Sequence, residues 1–456
     1  MNEQNKKMEL LGSASIPKAL MALGIPIMIG MLINALYNIA DAYFVGSLGE
    51  SPMGAISIVF PLGQIIVGLG LMFGNGAASC LSRLLGRADK YAASQVAVTA
   101  LYSSIFIGAI IIIITILFLK PILILLGATE TIMPYALKYA RIYLISSIFN
   151  VFNVTMNNIV TSEGAAKTTM CALLLGALLN IALDPIFIYI FNMGVTGAAI
   201  STAISQFIST TVYLSYIYRK KSLFDFNIKY YRPTKNIMME ILKIGIPTLT
   251  FQLLTSLSIM LINRAANVYG DAVIAGMGAV TRITSMGTLV VFGFLKGFQP
   301  IAGFSYGAKK YERLKKVIKT SILWSTVFCI FVGMLMILFS KQIISQFAGD
   351  NAKMISIGKK SLMANGFSFF LFGFHTVYST LFLALGKGKE GFILGACRQG
   401  ICFVPVILIL PVFWGINAIL YSQPIADIIT AIITVFMSIH LSKELKYESQ
   451  NSYSNI

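Results

Sequence analysis

Long apolar stretches separated by short polar connections run from residue 17 to residue 441 of the 456-residue chain. About 20 apolar residues in a helix cross the hydrocarbon core of a bilayer, so each stretch predicts a membrane-spanning helix. The stretches cover residues 17–46, 53–79, 92–119, 139–161, 168–191, 195–218, 237–262, 272–304, 314–340, 357–385, 391–411 and 415–441. The pattern therefore predicts an all-α integral membrane protein with twelve transmembrane helices.

The twelve stretches form two groups of six that repeat one another. Matching residues recur at a separation of 221 positions: Gly24-Ile25-Pro26 matches Gly245-Ile246-Pro247, Gly49 matches Gly270, and Gly86 matches Gly307. Six spans return the chain to its starting side, so we expect two lobes related by an axis along the membrane normal, with a substrate path between them. The predicted domains are an N-terminal segment 1–16, a first lobe 17–218, a linker 219–236, a second lobe 237–441 and a tail 442–456.

Composition and charge agree with a membrane location. The chain is 57% hydrophobic and 11% charged, whereas soluble domains carry about 25% charged residues. The net charge of +18 is concentrated in alternate connections, for example at Arg219, Lys220 and Lys221 in the linker. Basic loops stay in the cytoplasm, so both termini are expected there and the protein in a cell membrane. This distribution of charge does not predict a nucleic-acid partner.

Patterns typical of catalytic or metal sites are absent from the sequence. The five cysteines lie in or beside apolar stretches without metal-ligand spacing, and His375 and His440 are the two histidines. No Walker motif or nucleophile elbow occurs, so neither ATP-driven transport nor enzymatic chemistry is expected. The first apolar run has no cleavage site after it, and we interpret it as a permanent span. We expect a protein without a cofactor and, because one chain holds both lobes, a monomer.

Two acidic residues predict an ion-coupling site. From a rise of about 1.5 Å per residue, Asp41, Asp184 and Thr202 fall in one layer of the outer half of the membrane. Asn180 lies one helical turn from Asp184. Two carboxyl groups in a low-dielectric pocket do not both ionise easily, so the pair would take up a proton. With the oxygens of Asn180 and Thr202 it would instead hold Na⁺. The alternative is that each Asp only bonds a neighbouring helix.

Other polar residues inside the spans predict the lining of a substrate cavity. They recur at spacings of three and four on the first and fourth spans, and single charges lie in the second lobe. The predicted lining residues are Asn34, Tyr37, Asn38, Asn153, Asn157, Lys296 and Asp427. Lys296 either pairs with Asp427 or lines the cavity, and the sequence leaves both open. Asp427 either serves function or satisfies a buried polar partner.

Pro26 and Glu163 are candidates for conformational roles. A proline inside a helix removes one backbone hydrogen bond, so Pro26 would loosen the first span below the acidic layer. We expect a hinge that couples the charge of Asp41 to cavity shape, with a static kink as the alternative. Glu163, at the inner end of the fourth span, is expected to act as a gating or capping residue.

These motifs resemble the multidrug and toxic compound extrusion (MATE) family of the MOP superfamily. The resemblance covers essentially the whole chain and rests on GIPIMIG and LYNIADAYFVG in the first span, SRLLGR and SEGAAK in inner loops, and LNIALDPIFI in the fifth span. It is closest to the bacterial DinF-like and MepA-like branches, whose first-lobe cation site is matched by Asp41, Asn180, Asp184 and Thr202. The NorM-like branch places acids in helices 7 and 10, which have none here; His375 on helix 10 is more typical of a core or cavity lining.

The resemblance implies a secondary active exporter. Members carry amphipathic, often cationic drugs through a V-shaped cavity, driven by inward movement of H⁺ or Na⁺. The alternative within the superfamily is a flippase for lipid-linked oligosaccharides or polysaccharides. A channel or a non-transporting receptor is an alternative of another class, and it would have no need of paired acids.

Overall fold

The computed structural model describes residues 3–348 and 351–453, and within them it contains sixteen α-helices and no strand. The ends of the predicted N-terminal segment and tail lie outside the described residues. The helices are α1 (Glu3–Gly12), α2 (Ile16–Gly46), α3 (Glu50–Gly86), α4 (Lys90–Leu117), α5 (Leu119–Leu125), α6 (Met133–Ser162), α7 (Ala166–Pro185), α8 (Gly194–Tyr218), α9 (Lys235–Asn267), α10 (Asp271–Gly307), α11 (Tyr311–Leu338), α12 (Ser340–Ala348), α13 (Ala352–Ala384), α14 (Gly388–Ala396), α15 (Phe403–Trp414) and α16 (Ile416–Tyr453).

All twelve predicted spans coincide with helices. In the described residues, ten helical segments are long and apolar enough to cross a membrane. The other two predicted spans correspond to α6 and α8, which are 30 and 25 residues long. Two spans contain π-helical turns: Ile186–Ile190 follows α7, and Cys397–Ile401 joins α14 to α15. The predicted fold class is confirmed, and α1, α5 and α12 are short helices that the apolar pattern did not predict.

The backbone repeats itself as the sequence predicts. Of the eleven described residues with a positive φ, eight form four pairs at separations of 221 or 222 positions: Gly49 (+114°) with Gly270 (+96°), Ala88 (+60°) with Lys309 (+56°), Gly164 (+86°) with Gly386 (+79°), and Gly194 (+54°) with Gly415 (+55°). A left-handed conformation is uncommon outside glycine, so its recurrence at Ala88 and Lys309 is specific. Both halves therefore turn in the same way between equivalent helices.

The two halves meet along α2, α3, α9 and α10, where glycines let backbones approach closely. A Cβ atom at Gly76 would overlap the carbonyl oxygen of Ile241, and one at Gly245 would overlap that of Met72. At the inner ends of α3 and α10, Gly86 packs against the backbone of Gly307. These contacts hold the halves together on the predicted cytoplasmic side.

Polar contacts across the same side strengthen this closure. Arg83 Nη2 lies 3.0 Å from Glu240 Oε2, and Asn75 Nδ2 donates to Thr248 Oγ1 at 3.0 Å. The short helix α1 also touches both halves. Lys7 Nζ on α1 donates to Tyr216 on α8 of the first half, and Arg313 Nη2 on α11 of the second half donates to Leu11 O at 3.3 Å. The N-terminal segment is thus a bridge between the lobes.

Candidate ion and substrate sites

The predicted acid pair comes together inside the first half. Asp184 on α7 is fully buried, and Asp41 on α2 is half-buried and faces it. Extensive packing between α2 and α7 brings the two carboxyl groups within interaction range. Asn180 is one turn before Asp184, and its Nδ2 donates to Thr202 Oγ1 on α8 at 3.3 Å. The four residues predicted as one site are therefore neighbours.

Four buried oxygens of this site lack a protein donor. Among the described residues, Asp41 Oδ1, both carboxylate oxygens of Asp184 and Asn180 Oδ1 are buried without a hydrogen-bond partner. A buried acceptor without a donor is costly, and two ionised carboxylates cannot bond each other. Either a proton shared by the acids or a hard cation such as Na⁺ removes this cost, since hard cations take oxygen ligands. The oxygen atoms of the site therefore fit either a proton or Na⁺ as the coupling ion.

Two tyrosines beside the acid pair were not predicted from the sequence. Tyr139 and Tyr143 on α6 stack with ring centroids 5.6 Å apart, and both rings lie within electrostatic range of Asp41. Tyr37, which was predicted, borders the same pair. A signal existed: residues 139, 143, 146, 150, 153 and 157 continue one stripe at spacings of three and four along α6. Three tyrosine rings therefore border the acid pair.

The remaining predicted polar residues of the first half have other partners. Asn38 Nδ2 donates to Asn34 O at 2.7 Å, one turn back on α2. Asn153 donates to Gln206 O at 2.9 Å and accepts from Thr210 Oγ1 at 3.0 Å, so it binds α6 to α8. It is not part of the cavity lining. These three asparagines stabilise local structure in this conformation.

A cavity of about 580 Å³ lies between the halves and is lined mainly by the second one. Its apolar surface includes Phe251, Phe292 and Phe372. Lys296 on α10 lines it, and its Nζ lies 3.4 Å from Asn157 Oδ1 on α6. Lys296 and Asn157 were both predicted as cavity residues; Lys296 is among the lining residues and Asn157 is not, and the two form a polar contact between the lobes.

Asp427 pairs with a residue that the sequence analysis overlooked. Its Oδ1 lies 3.0 Å from Arg398 Nε and accepts from Gln423 Nε2 at 2.8 Å, while Ser368 Oγ donates to Oδ2 at 3.1 Å. Asp427 is 2% exposed and is not among the residues lining the cavity. The considered pairing with Lys296 is therefore wrong. Arg398 lies in the π-helical turn, which offers its guanidinium to α16.

A family model described as MatE matches residues 26–186 and 247–409, once in each half. The chain belongs to the MATE family. It is 31% identical to a multidrug export protein, MepA, of Staphylococcus saprophyticus over 428 residues, 92% of each chain. Two solved structures described as MATE in the bent and in the straight conformation each match with a TM-score of 0.91 and 28% identity. They cover 98% and 97% of this chain, and 99% of each of those chains is covered.

Glu163 of this MATE protein is fully buried at the predicted inner end of α6. It accepts hydrogen bonds from Tyr216, from Ser222 Oγ at 2.9 Å and from the backbone of Leu223. Lys7 on α1 also donates to Tyr216. Burial raises the pKa of Glu163, and the charge of Lys7 opposes that shift. The residue joins α1, α6, α8 and the linker.

Pro26 lies within α2, which continues without interruption from Ile16 to Gly46. Its ring is buried, and neighbouring Gly24 packs against Phe294 on α10 of the other half. Since Pro26 has no N–H, the carbonyl of Ala22 lacks its usual intrahelical donor. Pro26, the predicted hinge, thus lies where α2 meets the second lobe, fifteen residues before Asp41.

Proposed function

We propose that this MATE protein is a secondary active exporter of amphipathic drugs, driven by inward movement of H⁺ or Na⁺. The observation that carries the proposal is the pair Asp41 and Asp184, in which Asp41 Oδ1 and both oxygens of Asp184 are buried without a hydrogen-bond donor. Such a pair has a high affinity for a positive charge and binds it reversibly. The relative MepA is named a multidrug export protein, which supports drugs as cargo.

The coupling ion would act at four residues. A proton bound between Asp41 and Asp184, or Na⁺ held by these acids with Asn180 and Thr202, neutralises the site. Neutralisation removes the repulsion between α2 and α7 at that depth. The positive ion enters from outside, is carried across, and leaves when the opposite side opens. Drug would occupy the cavity between the lobes when the acids are empty.

Conformational change would follow α2, because it contacts both lobes. We infer that Pro26 lets α2 bend as Asp41 gains or loses charge. The similar solved structures in bent and straight conformations support two states in the family. Glu163 would hold the cytoplasmic side closed through α1 and the linker. We further infer cytoplasmic termini from the basic loops, and a monomer from the presence of both lobes in one chain.

Transport by purified protein in liposomes tests this function. Ethidium efflux would be followed with a pH gradient alone and with a Na⁺ gradient alone. We expect one gradient to drive efflux in the wild type, and Asp41→Asn and Asp184→Asn each to lower the rate at least about ten-fold. A ten-fold loss of rate corresponds to about 1.4 kcal/mol of activation free energy.

The matched control is Asp89→Asn. Asp89 is exposed, and its Oδ1 caps α4 by accepting from Ala92 N at 2.9 Å, a bond that Asn can keep. This variant should transport as the wild type does. Gradient-driven efflux that persists in both site variants would show that the acid pair has only a structural role. Efflux driven by neither gradient would overturn secondary transport.

A further inference from the structure

The cavity offers hydrogen-bond donors that the protein does not use. His375 is 4% exposed, and neither ring nitrogen has a partner among the described residues; the same is true of Gln299 Nε2. Arg398 uses Nε for Asp427, and the described hydrogen bonds leave its two terminal nitrogens free. All three side chains line the cavity. Buried polar groups without a protein partner are rare, so these side chains are available to hydrogen-bond a molecule in the cavity.

The charge of the lining has one sign. Lys296 and Arg398 line the cavity, and no Asp or Glu appears among its described lining residues. Asp427 does not line the cavity, and its carboxylate oxygens accept hydrogen bonds from Arg398, Gln423 and Ser368. It pairs with the charge of Arg398 outside the cavity surface. A ligand in this space therefore meets donors and positive charge.

Aromatic rings connect these polar groups into one subsite. The guanidinium carbon of Arg398 lies 4.6 Å from the centroid of the Phe372 ring. That ring contacts His375 at 5.2 Å and Phe292 at 6.0 Å between centroids. Lys296 is one helical turn after Phe292 on α10. Arg398, His375 and Phe292 thus all adjoin the Phe372 ring, and Lys296 follows on the next turn of α10.

We propose that this second-lobe subsite binds the carboxylate of an amphipathic organic anion or zwitterion, with Lys296 and Arg398 as its charged ligands. Arg presents a planar fork that matches a carboxylate, and a stacked guanidinium is already oriented for it. Gln299 and His375 would complete the donor set, and the phenylalanines would cover the apolar body. The inference rests on the proposed export function and names a substrate class for it.

Binding of norfloxacin and its methyl ester to the protein in phosphatidylcholine nanodiscs tests the subsite. Both molecules carry the same ring system and amine, and the ester lacks the carboxylate. Drug fluorescence would be titrated, with empty nanodiscs subtracted. We expect the wild type to bind norfloxacin at least about ten-fold more tightly than the ester. Lys296→Gln should reduce that preference to less than about three-fold.

Two further variants keep the test decisive. The double variant R398Q/D427N removes the second cation without leaving a buried charge alone, and should also lower the preference. Arg282→Gln is the control: Arg282 lies on the same helix as Lys296, is exposed and does not line the cavity. It should bind both molecules as the wild type does. Equal affinity for acid and ester in the wild type, or an unchanged preference in both cavity variants, would overturn the assignment.

Lipid is the competing source of an anionic group. If phosphatidylglycerol in the nanodisc displaces norfloxacin and phosphatidylcholine does not, the subsite belongs to a lipid phosphate, and the carboxylate assignment fails. Gradient-driven efflux of norfloxacin and of ethidium from liposomes reports on export separately from binding. Preference for norfloxacin over the ester, with gradient-driven efflux of neither norfloxacin nor ethidium, would retain the subsite and reject the export function; efflux of either compound without that preference would do the reverse.

Discussion

Gly86 packs against the backbone of Gly307, its own equivalent 221 positions along the chain. A Cβ at Gly86 would overlap the carbonyl oxygen of Phe304, and one at Gly307 would overlap that of Arg83, the residue 221 positions before Phe304. The contact is therefore reciprocal, as an axis between two repeats requires. The contact lies at the inner ends of α3 and α10, so it is present when the predicted cytoplasmic side is closed.

Gly86→Ala should open that side. The added methyl group meets backbone atoms that have no room to rotate away, so the closed state loses stability relative to one with the inner ends apart. Nitroxide labels at Arg87 and Lys309 report the distance between the inner ends by electron paramagnetic resonance. In Gly86→Ala we expect the distance distribution to gain a population at longer distance. Gly278→Ala is the matched control, since nothing lies within 4 Å of a Cβ there. Equal distance distributions in all three proteins would contradict the closure role of Gly86.

Pro26→Ala should slow transport while leaving ion binding intact. Alanine supplies an N–H to the carbonyl of Ala22 and so completes the hydrogen bonds of α2, which becomes stiffer. We expect the rate of ethidium efflux to fall several-fold. The rise in apparent Tm that the coupling ion produces should stay the same as in the wild type. Pro61→Ala makes the same change in the middle of α3, at an exposed position, and should have little effect on the rate. An unchanged rate in Pro26→Ala would indicate a static kink.

Much of the fold follows from the sequence, because its signals act over whole helices. Span length is set by bilayer thickness, and the repeat is visible at fixed separations such as Gly86 and Gly307. The depth of Asp41 and Asp184 could be calculated from helical rise, since both helices begin at identifiable loops. Equal depth on two helices makes contact between the acids possible, and the packing of α2 against α7 brings it about.

Rotation of a helix about its axis is the part that spacing leaves undetermined. Asn153 and Asn157 share one stripe on α6, yet Asn153 binds α8 and Asn157 reaches Lys296 in the other lobe. The partner of Asp427 was missed for a related reason. Arg398 lies in a π-helical turn, where one extra residue changes the direction of the side chains that follow, and a regular helix does not predict that direction.

Glu163→Gln should remove part of the pH dependence of stability. The pKa of Glu163 is raised by burial, so the folded protein holds this proton more tightly than the unfolded chain does. The resulting stabilisation is complete below the ordinary pKa of a glutamate, about 4.3, and is lost as pH rises through the raised pKa. Between these values the apparent Tm of the wild type should fall, and that of the variant should fall less.

The same variant should also be less stable at every pH. Glutamine has one acceptor oxygen, whereas Glu163 accepts from Tyr216, Ser222 and Leu223, so one or more donors lose a partner at about 1–3 kcal/mol. Thermal unfolding in detergent from pH 4.5 to 8 measures both effects. Glu130→Gln, at an exposed position between α5 and α6, serves as control. Parallel curves for wild type and Glu163→Gln would exclude Glu163 as a titrating group in this range.

Arg398 and Asp427 should stabilise the folded protein as a pair, so that replacing Arg398 alone is more destabilising than replacing both residues. Arg398→Gln leaves the Asp427 carboxylate buried without its cation, and breaking a buried pair in this way costs roughly 3–5 kcal/mol. Replacing both residues, as in R398Q/D427N, removes the isolated charge, so the double variant should be more stable than Arg398→Gln. Ser368→Ala removes one hydrogen bond to Asp427 and should cost only about 1 kcal/mol. Apparent Tm values of the four proteins in one detergent give the order wild type, Ser368→Ala, double variant, Arg398→Gln. A double variant no more stable than Arg398→Gln would mean that the buried charge of Asp427 is stabilised by Gln423 and Ser368 without the arginine.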